Sequence, residues 1–425
     1  MAFLGKLSEQ YAELWKAVIR PPRDTYEAKD LGPTVFSIEN RTYQRTDLCL
    51  KNSRGLNLVC SHFEPIPSER VAERLPCVVY LHGNCSSRLE AVSTLPVLLP
   101  FNITVFCLDF SGSGLSDGEY LSLGYYERDD LSVVVNYLRE SNRVTCIGLW
   151  GRSMGASTAL LHADRDPSIA GLVLDSPFSD LKVLCEELVD VYTNSKIPSW
   201  VVGIALHMVR SSIQQHAAFD IYNLVPIQHV TNSFIPALFA AAYNDSFIRP
   251  HHAKELHEAY AGDKNFVMVE GDHNSARSKF FMDSVAIFFF NTLQCDQLPH
   301  QYHPASVQAW PGSTPASVSV SSNRMNAGVN AGAAGGYPSS QAVGVGQSLH
   351  MRPPDHDRTI FAQSREGQPT HFSAEEEDEL VKRAIALSLH SGESSSAIAA
   401  AAPPLQGGIP GRGTASSSVA RRYVA

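Results

Sequence analysis

The sequence predicts an α/β protein whose central sheet is mostly parallel and flanked by helices. Two patterns in residues 30–295 support this fold class: short β-branched apolar runs, and amphipathic stretches of helical period between them. Near-continuous apolar runs of strand length are typical of parallel strands that are covered on both faces. Their alternation with helices predicts a doubly wound sheet.

The individual elements can be placed from the apolar runs and their turn residues. Strands are predicted at 56–65, 76–83, 103–112, 143–151, 169–177, 236–245 and 265–272. Helical patterns cover 125–141 and 251–262, and the second places apolar residues at i, i+3 and i+7 before it ends at Gly262. The predicted domain therefore contains a strand–helix repeat along most of its length.

One interval is too long for a single crossover helix. It spans about 180–230 and includes LKVLCEELVDVY and WVVGIALHMVRSSI, both of helical character. We interpret the extra length as a helical cap over the carboxyl edge of the sheet, where ligands bind in such folds. The alternative is a pair of structural helices on the rim.

The two ends of the chain differ in composition from the predicted domain. Residues 1–29 contain a helical pattern over 4–20, for which packing across the domain is favoured over a membrane surface because its polar face has few basic residues. After residue 296 the chain is rich in Gly, Ser, Ala and Pro. Such sequence buries too little apolar surface to fold, so disorder is predicted over 296–372 and 392–425, with a helix at 373–391 between them.

Composition excludes several classes of function. A formal net charge of -9 argues against a nucleic-acid surface. The eight cysteines lie mostly in apolar runs and show no metal-binding spacing, so neither a disulfide framework nor a zinc site is expected. No cofactor is expected. The first 15 residues make a poor signal peptide, and no apolar run reaches 18 residues. A cytoplasmic location is expected.

A serine between two elements is the strongest chemical signal. GRSMG at 151–155 follows the predicted strand RVTCIGLW and precedes the helical pattern MGASTALLHAD. A tight strand-to-helix turn exposes such a serine above the sheet, next to a helix N-terminus that favours developing negative charge. Ser153 is therefore the candidate nucleophile, and a helix N-cap serine is the alternative.

A serine nucleophile needs a base and an acid that orients the base. His273 follows the last predicted strand, and Asp245 closes the strand before it, which gives the chain order Ser153, Asp245, His273. We predict these three residues as the catalytic triad. The competing acids are Asp175, Asp263 and Asp272.

The reaction also needs two donors for the oxyanion. Met154 follows the nucleophile and should supply one backbone N–H. The loop LHGNCSS after the strand PCVVY should supply the other, from Asn84, with Cys85 as its neighbour and Gly83 allowing a close backbone approach.

These segments together resemble a known superfamily. LHGN, LDFSGSGLSDGE, GRSMGAS, LDSPFSD, NDSFIRPHH and GDHNS are similar to the α/β-hydrolase superfamily over about residues 20–295. Within it the chain looks like the serine-peptidase and acyl-hydrolase branch, which includes uncharacterised plant and protist hydrolases and protein-depalmitoylating enzymes. The resemblance implies the α/β-hydrolase fold and an acyl or peptide substrate. It leaves esters, thioesters, amides and peptides open.

A second motif lies in the tail, at 375–390. EEEDELVKRAIALSLH has an acidic run followed by Val381, Ala384 and Ser388 on one helical stripe. It resembles a ubiquitin-interacting motif, which implies ubiquitin or ubiquitinated proteins as partners through these residues. The family pattern has an acid where this chain has Ser391. The alternative is an amphipathic helix that docks on its own enzyme domain or on a membrane.

Three hypotheses of function follow. The preferred one is a serine hydrolase that cleaves an ester, thioester or amide through an acyl-enzyme and binds ubiquitin through its tail. The second is a serine peptidase of the prolyl-oligopeptidase or aminopeptidase-like branch. The third is a ubiquitin-binding adaptor without turnover. Side chains of the predicted cap should decide between the first two.

Overall fold

The computed structural model describes the backbone of residues 2–193 and 199–299 and the side chains of 11–191 and 200–299. In this part of the chain nine strands form one sheet in the order β1-β2-β3-β5-β4-β6-β7-β8-β9. β1, β2, β3 and β5 pair antiparallel in turn, and all the pairings from β5 to β9 are parallel. The strands are β1 Val35–Ile38, β2 Arg41–Lys51, β3 Asn57–Pro65, β4 Leu75–Leu81, β5 Thr104–Leu108, β6 Val144–Arg152, β7 Gly171–Asp175, β8 Ala237–Ala242 and β9 Lys264–Val269.

Helices cover both faces of this sheet. They are α1 Ala2–Ile19, α2 Leu95–Leu98, α3 Glu127–Glu140, α4 Met154–Ala163, α5 Leu181–Thr193, α6 Ser199–Ala217, α7 Pro250–Ala259 and α8 Lys279–Thr292. One buried cluster joins the sheet to α3, α4 and α7, and a second joins the other face to α2 and α8. The structure is the predicted α/β-hydrolase type of fold, with a mostly parallel sheet between helices.

The apolar runs mark the parallel strands well. Every residue of β4, β5, β7 and β8 is buried, because helices cover both faces of these strands. The antiparallel edge strands β1 and β2 were not predicted. β2 buries Arg41, Tyr43 and Arg45 on one face and carries mixed polar residues elsewhere, so it has no continuous apolar run.

The interval between β7 and β8 contains two helices, α5 and α6, followed by short 3-10 turns over 221–232. α1 packs against α6: the hydroxyl of Tyr11 donates to the carbonyl oxygen of Met208 at 2.7 Å, and the Trp15 ring stacks on His216 at 4.1 Å between centroids. The N-terminal helix therefore contacts the predicted cap. The predicted boundaries at residues 29 and 30 and at 180 and 230 stay predictions.

The predicted linker, tail helix and tail end lie outside the described residues, and so do Val381, Ala384 and Ser388. Among the helices that the structure describes, none is long and apolar enough to cross a membrane.

Candidate active site

Ser153 lies on a strained turn between β6 and α4. Its backbone has φ 53° and ψ -118°, a conformation that is unusual for a residue with a side chain. Two glycines make the turn sterically feasible. A Cβ on Gly151 would lie 2.3 Å from the carbonyl oxygen of Gly155, and one on Gly155 would lie 2.0 Å from that of Leu81. The two glycines therefore allow the tight turn that places Ser153 at the carboxyl end of the central strands.

The three predicted triad side chains lie together. His273 Nε2 is 3.1 Å from Ser153 Oγ, and His273 Nδ1 is 2.7 Å from Asp245 Oδ2. All three residues are buried. The loops after β8 and β9 supply Asp245 and His273, because the carboxyl ends of parallel strands meet at one edge of the sheet. The arrangement can pass a proton from serine to imidazole while the carboxylate holds the other ring nitrogen.

The carboxylate of Asp245 is fixed on its other side. Its Oδ1 accepts the backbone N–H groups of Phe247 at 3.0 Å and Ile248 at 2.7 Å. The ring of Phe247 also contacts His273, with 5.1 Å between ring centroids. These contacts leave Oδ2 directed at the imidazole, which is the geometry that selects one tautomer.

The competing acids have other partners. Asp175 accepts from the guanidinium of Arg277 at 2.7 and 2.9 Å, and Asp272 accepts from Ser275 at 2.6 Å. The side chain of Asp263 makes no contact with the imidazole of His273 among the described hydrogen bonds. The structure thus brings Asp245, and none of these three, to the histidine ring.

The predicted oxyanion donors flank the serine. A Cβ on Gly83 would lie 3.8 Å from Ser153 Cβ, so the loop that carries Asn84 runs beside the serine turn. Asn84 and Met154 both line the cavity in front of Ser153. No hydrogen bond between described residues occupies either backbone N–H. Both groups are therefore available to an oxygen of a bound carbonyl.

A half-buried ion pair beside the serine was not predicted from the sequence. Arg152 Nη1 donates to Glu90 Oε1 at 2.9 Å, and Glu90 Oε2 accepts the backbone N–H of Gly83 at 2.9 Å. Burial alone would lower the pKa of Arg152, but the surrounding Glu90, Asp175 and Tyr80 raise it overall. The only available signal was a charged residue inside GRSMG.

An apolar cavity of about 240 Å³ opens onto Ser153. Three helices supply more than half of the lining residues, represented by Leu14 of α1, Leu188 of α5 and Ala205 of α6. No described residue in its lining carries a formal charge. The predicted cap thus forms part of a substrate-sized space, together with the N-terminal helix.

One group of potential metal ligands occurs in the described part of the chain. It consists of Glu187, His251 and His252, none of which lines the cavity. Glu187 Oε1 lies 2.6 Å from His251 Nε2 and 3.8 Å from a guanidinium nitrogen of Arg249. These contacts join α5 to the start of α7, outside the residues that line the cavity at Ser153.

Two comparisons relate the chain to known sequences. Residues 72–245 match the family model described as "Serine aminopeptidase, S33". The chain is 28% identical over 255 residues to the uncharacterised protein YqkD of Bacillus subtilis. The aligned region covers 59% of this chain and 79% of YqkD.

The chain is also similar to solved structures of esterases, at low sequence identity. The esterase Pf2001 of Pyrococcus furiosus is 19% identical with a TM-score of 0.48, covering 64% of this chain and 98% of its own. Est1E of Butyrivibrio proteoclasticus, solved with ferulic acid, is 17% identical with a TM-score of 0.46, covering 58% and 99%. The strand order and the family match support a hydrolase of the α/β-hydrolase superfamily.

Proposed function

We propose that the chain is a serine hydrolase that cleaves an ester, thioester or amide through an acyl-enzyme. The observation that supports it is the hydrogen-bonded series Ser153, His273, Asp245 at the mouth of a cavity. Each of these side chains has the partner that its role requires. The family match points to the same class of reaction.

The first half of the reaction forms a bond between Ser153 Oγ and the substrate carbonyl carbon. His273 Nε2 takes the hydroxyl proton, and Asp245 stabilises the resulting imidazolium. The backbone N–H groups of Asn84 and Met154 bind the oxyanion. When the tetrahedral species collapses, the bond to the leaving oxygen, sulfur or nitrogen breaks, and that atom takes the proton from His273.

The second half repeats these steps with water as the nucleophile. His273 takes a proton from the water, which attacks the acyl carbon, and then returns a proton to Ser153 Oγ. The products are a carboxylic acid and an alcohol, thiol or amine.

A fluorophosphonate probe and p-nitrophenyl acetate test this function. Wild type should be labelled and should release p-nitrophenol, and Ser153→Ala should lose both. Ser284→Ala, at a half-buried position of α8 away from the site, is the matched control and should keep both. Labelling and turnover that persist in Ser153→Ala would rule out the proposed nucleophile.

Tail-mediated ubiquitin binding is a second proposal, and it rests on the sequence pattern at 375–390 alone. Ala384→Arg places a long charged side chain on the proposed contact stripe and should abolish retention on ubiquitin resin. Ala386→Arg, on another side of the same helical pattern, should not. Equal retention of the two variants would reject the motif, and ubiquitin binding without any ester turnover would favour the adaptor hypothesis.

The cytoplasmic location stays a prediction.

A further inference from the structure

The cavity beside Ser153 is apolar almost throughout. Its polar side chains, Asn84 and Ser153, are found where the carbonyl would bind, and the rest of its lining is aliphatic, aromatic or sulfur-containing. The one thiol from the cap, Cys185, is neutral at physiological pH because burial raises its pKa to about 12. The cavity therefore presents a polar end at the nucleophile and an uncharged wall beyond it.

Three separate helices build this wall. α1 contributes Leu14 and Val18, α5 contributes Leu184 and Leu188, and α6 contributes Val209. The same helices share a buried apolar cluster, so their side chains are held by packing as well as by the chain connections. The helical part of the wall is thus a packed apolar surface.

The uncharged lining of the cavity discriminates between acyl substrates and aminopeptidase substrates, which the sequence left open. A free α-ammonium group would need a carboxylate partner, because a buried and unpaired charge is strongly disfavoured. No carboxylate occurs among the described lining residues. The carboxylate of the proposed triad, Asp245, already accepts from His273, Phe247 and Ile248. This environment is unfavourable to an aminopeptidase substrate.

We propose that the acyl group of the substrate is an uncharged aliphatic chain that lies between α1, α5 and α6. This inference rests on the proposed serine chemistry, because it concerns the acyl group, which is the part of the substrate that stays bound to Ser153 in the acyl-enzyme. Burying methylenes against these side chains removes apolar surface from water, which stabilises the bound chain and the transition state alike.

A series of p-nitrophenyl esters with straight acyl chains of two to twelve carbons tests the assignment. kcat/KM should rise about fourfold per methylene until the cavity is full. The 8-aminooctanoyl ester matches the octanoyl ester in length but ends in an ammonium group, and its kcat/KM should be at least a hundredfold lower. Leucine p-nitroanilide should be a poorer substrate than any ester of the series.

A pair of variants on α6 links the preference to the cavity. Ala205 lines the cavity, whereas its neighbour Ile204 is 55% exposed. Ala205→Phe should fill the space and lower the ratio of decanoyl to acetyl kcat/KM at least tenfold. Ile204→Phe introduces the same ring on the outer face and should keep the wild-type ratio. Fluorophosphonate labelling of Ser153 verifies that the site is intact in both.

The outcomes separate this inference from the proposed function. If wild type turns over esters through Ser153 but prefers acetyl, ammonium-ended or aminoacyl substrates, the chain-binding assignment is wrong and the serine chemistry stands. An unchanged chain-length ratio in Ala205→Phe would also reject it. If Ser153→Ala keeps the activity, the proposed function fails first.

Discussion

Arg152 Nη2 donates a hydrogen bond to the backbone carbonyl oxygen of His273 at a distance of 2.8 Å. The same guanidinium binds Glu90, which in turn accepts the N–H of Gly83. One side chain next to the nucleophile therefore connects the serine turn, the histidine loop and the loop that carries Asn84. These loops come from different strands, and their relative position determines whether the nucleophile, base and oxyanion donors meet at one carbonyl.

Arg152→Met should lower kcat about a hundredfold, which is the effect expected when catalytic groups are displaced by about 1 Å. Its KM should change little, because Arg152 does not line the cavity. Arg152→Lys keeps the charge but cannot make both forked contacts, so it should recover only part of the lost kcat. Steady-state kinetics on p-nitrophenyl esters give both parameters.

The control for this variant is Arg165→Met, which removes an exposed arginine paired with Asp129. It should leave kcat within about twofold, as expected when a surface ion pair contributes little. If Arg152→Met affected only KM or only thermal stability, the positioning role of the guanidinium would be wrong.

Two aspartates at neighbouring strand ends should respond to amide substitution in opposite ways. Asp245→Asn keeps the size of the side chain but disturbs the imidazole tautomer, and kcat should fall by about 10⁴ with little loss of stability. Asp175→Asn breaks a buried pair with Arg277, so the free energy of unfolding should fall by about 3 kcal/mol. Urea unfolding and esterase assays on both variants measure the two effects. The acid assignment is wrong if Asp175→Asn proves the more damaging to kcat.

Much of this site could be predicted from sequence because its three main side chains follow parallel strands. Ser153, Asp245 and His273 each stand directly after an apolar run, and such runs end at a common edge. The contact of Arg152 with Glu90 spans 62 positions and depends on how the loops fold, which no local pattern records. The helical period of α1 was visible, but its place in the cavity wall depends on packing against α6.

Gly155 should tolerate no side chain. Alanine there would place Cβ 2.0 Å from the carbonyl oxygen of Leu81, and the backbone of β4 cannot move without disrupting the centre of the sheet. Gly155→Ala should therefore reduce the free energy of unfolding by more than about 3 kcal/mol or prevent folding. Gly203→Ala is the matched control, because a Cβ on this glycine of α6 meets no atom within 4 Å. It should stabilise the protein by up to about 1 kcal/mol in urea unfolding.

His62 should make the stability of the fold depend on pH. It is buried in β3 beside the ring of Phe106, and its Nε2 has no hydrogen-bond partner among the described residues. Burial lowers its pKa from 6.5 to about 4, although the nearby Glu64 partly opposes this shift. The unfolded chain therefore binds a proton at a higher pH than the folded one does. The stabilisation is fully present above pH 6.5 and is lost as the pH falls towards 4, by about 3 kcal/mol in total.

Urea unfolding at intervals between pH 7.5 and 4 measures this effect. In His62→Gln the free energy of unfolding should depend less steeply on pH over this range, because glutamine does not titrate. The slope should correspond to nearly one proton fewer taken up on unfolding than in the wild type. His207→Gln removes an exposed histidine of α6 and should retain the wild-type slope. If His62→Gln and wild type had parallel curves, the buried imidazole would not be the group that takes up the proton on unfolding. The acid sensitivity of the fold would then have to come from carboxylates such as Glu64, which is bound by Arg70 and Arg143.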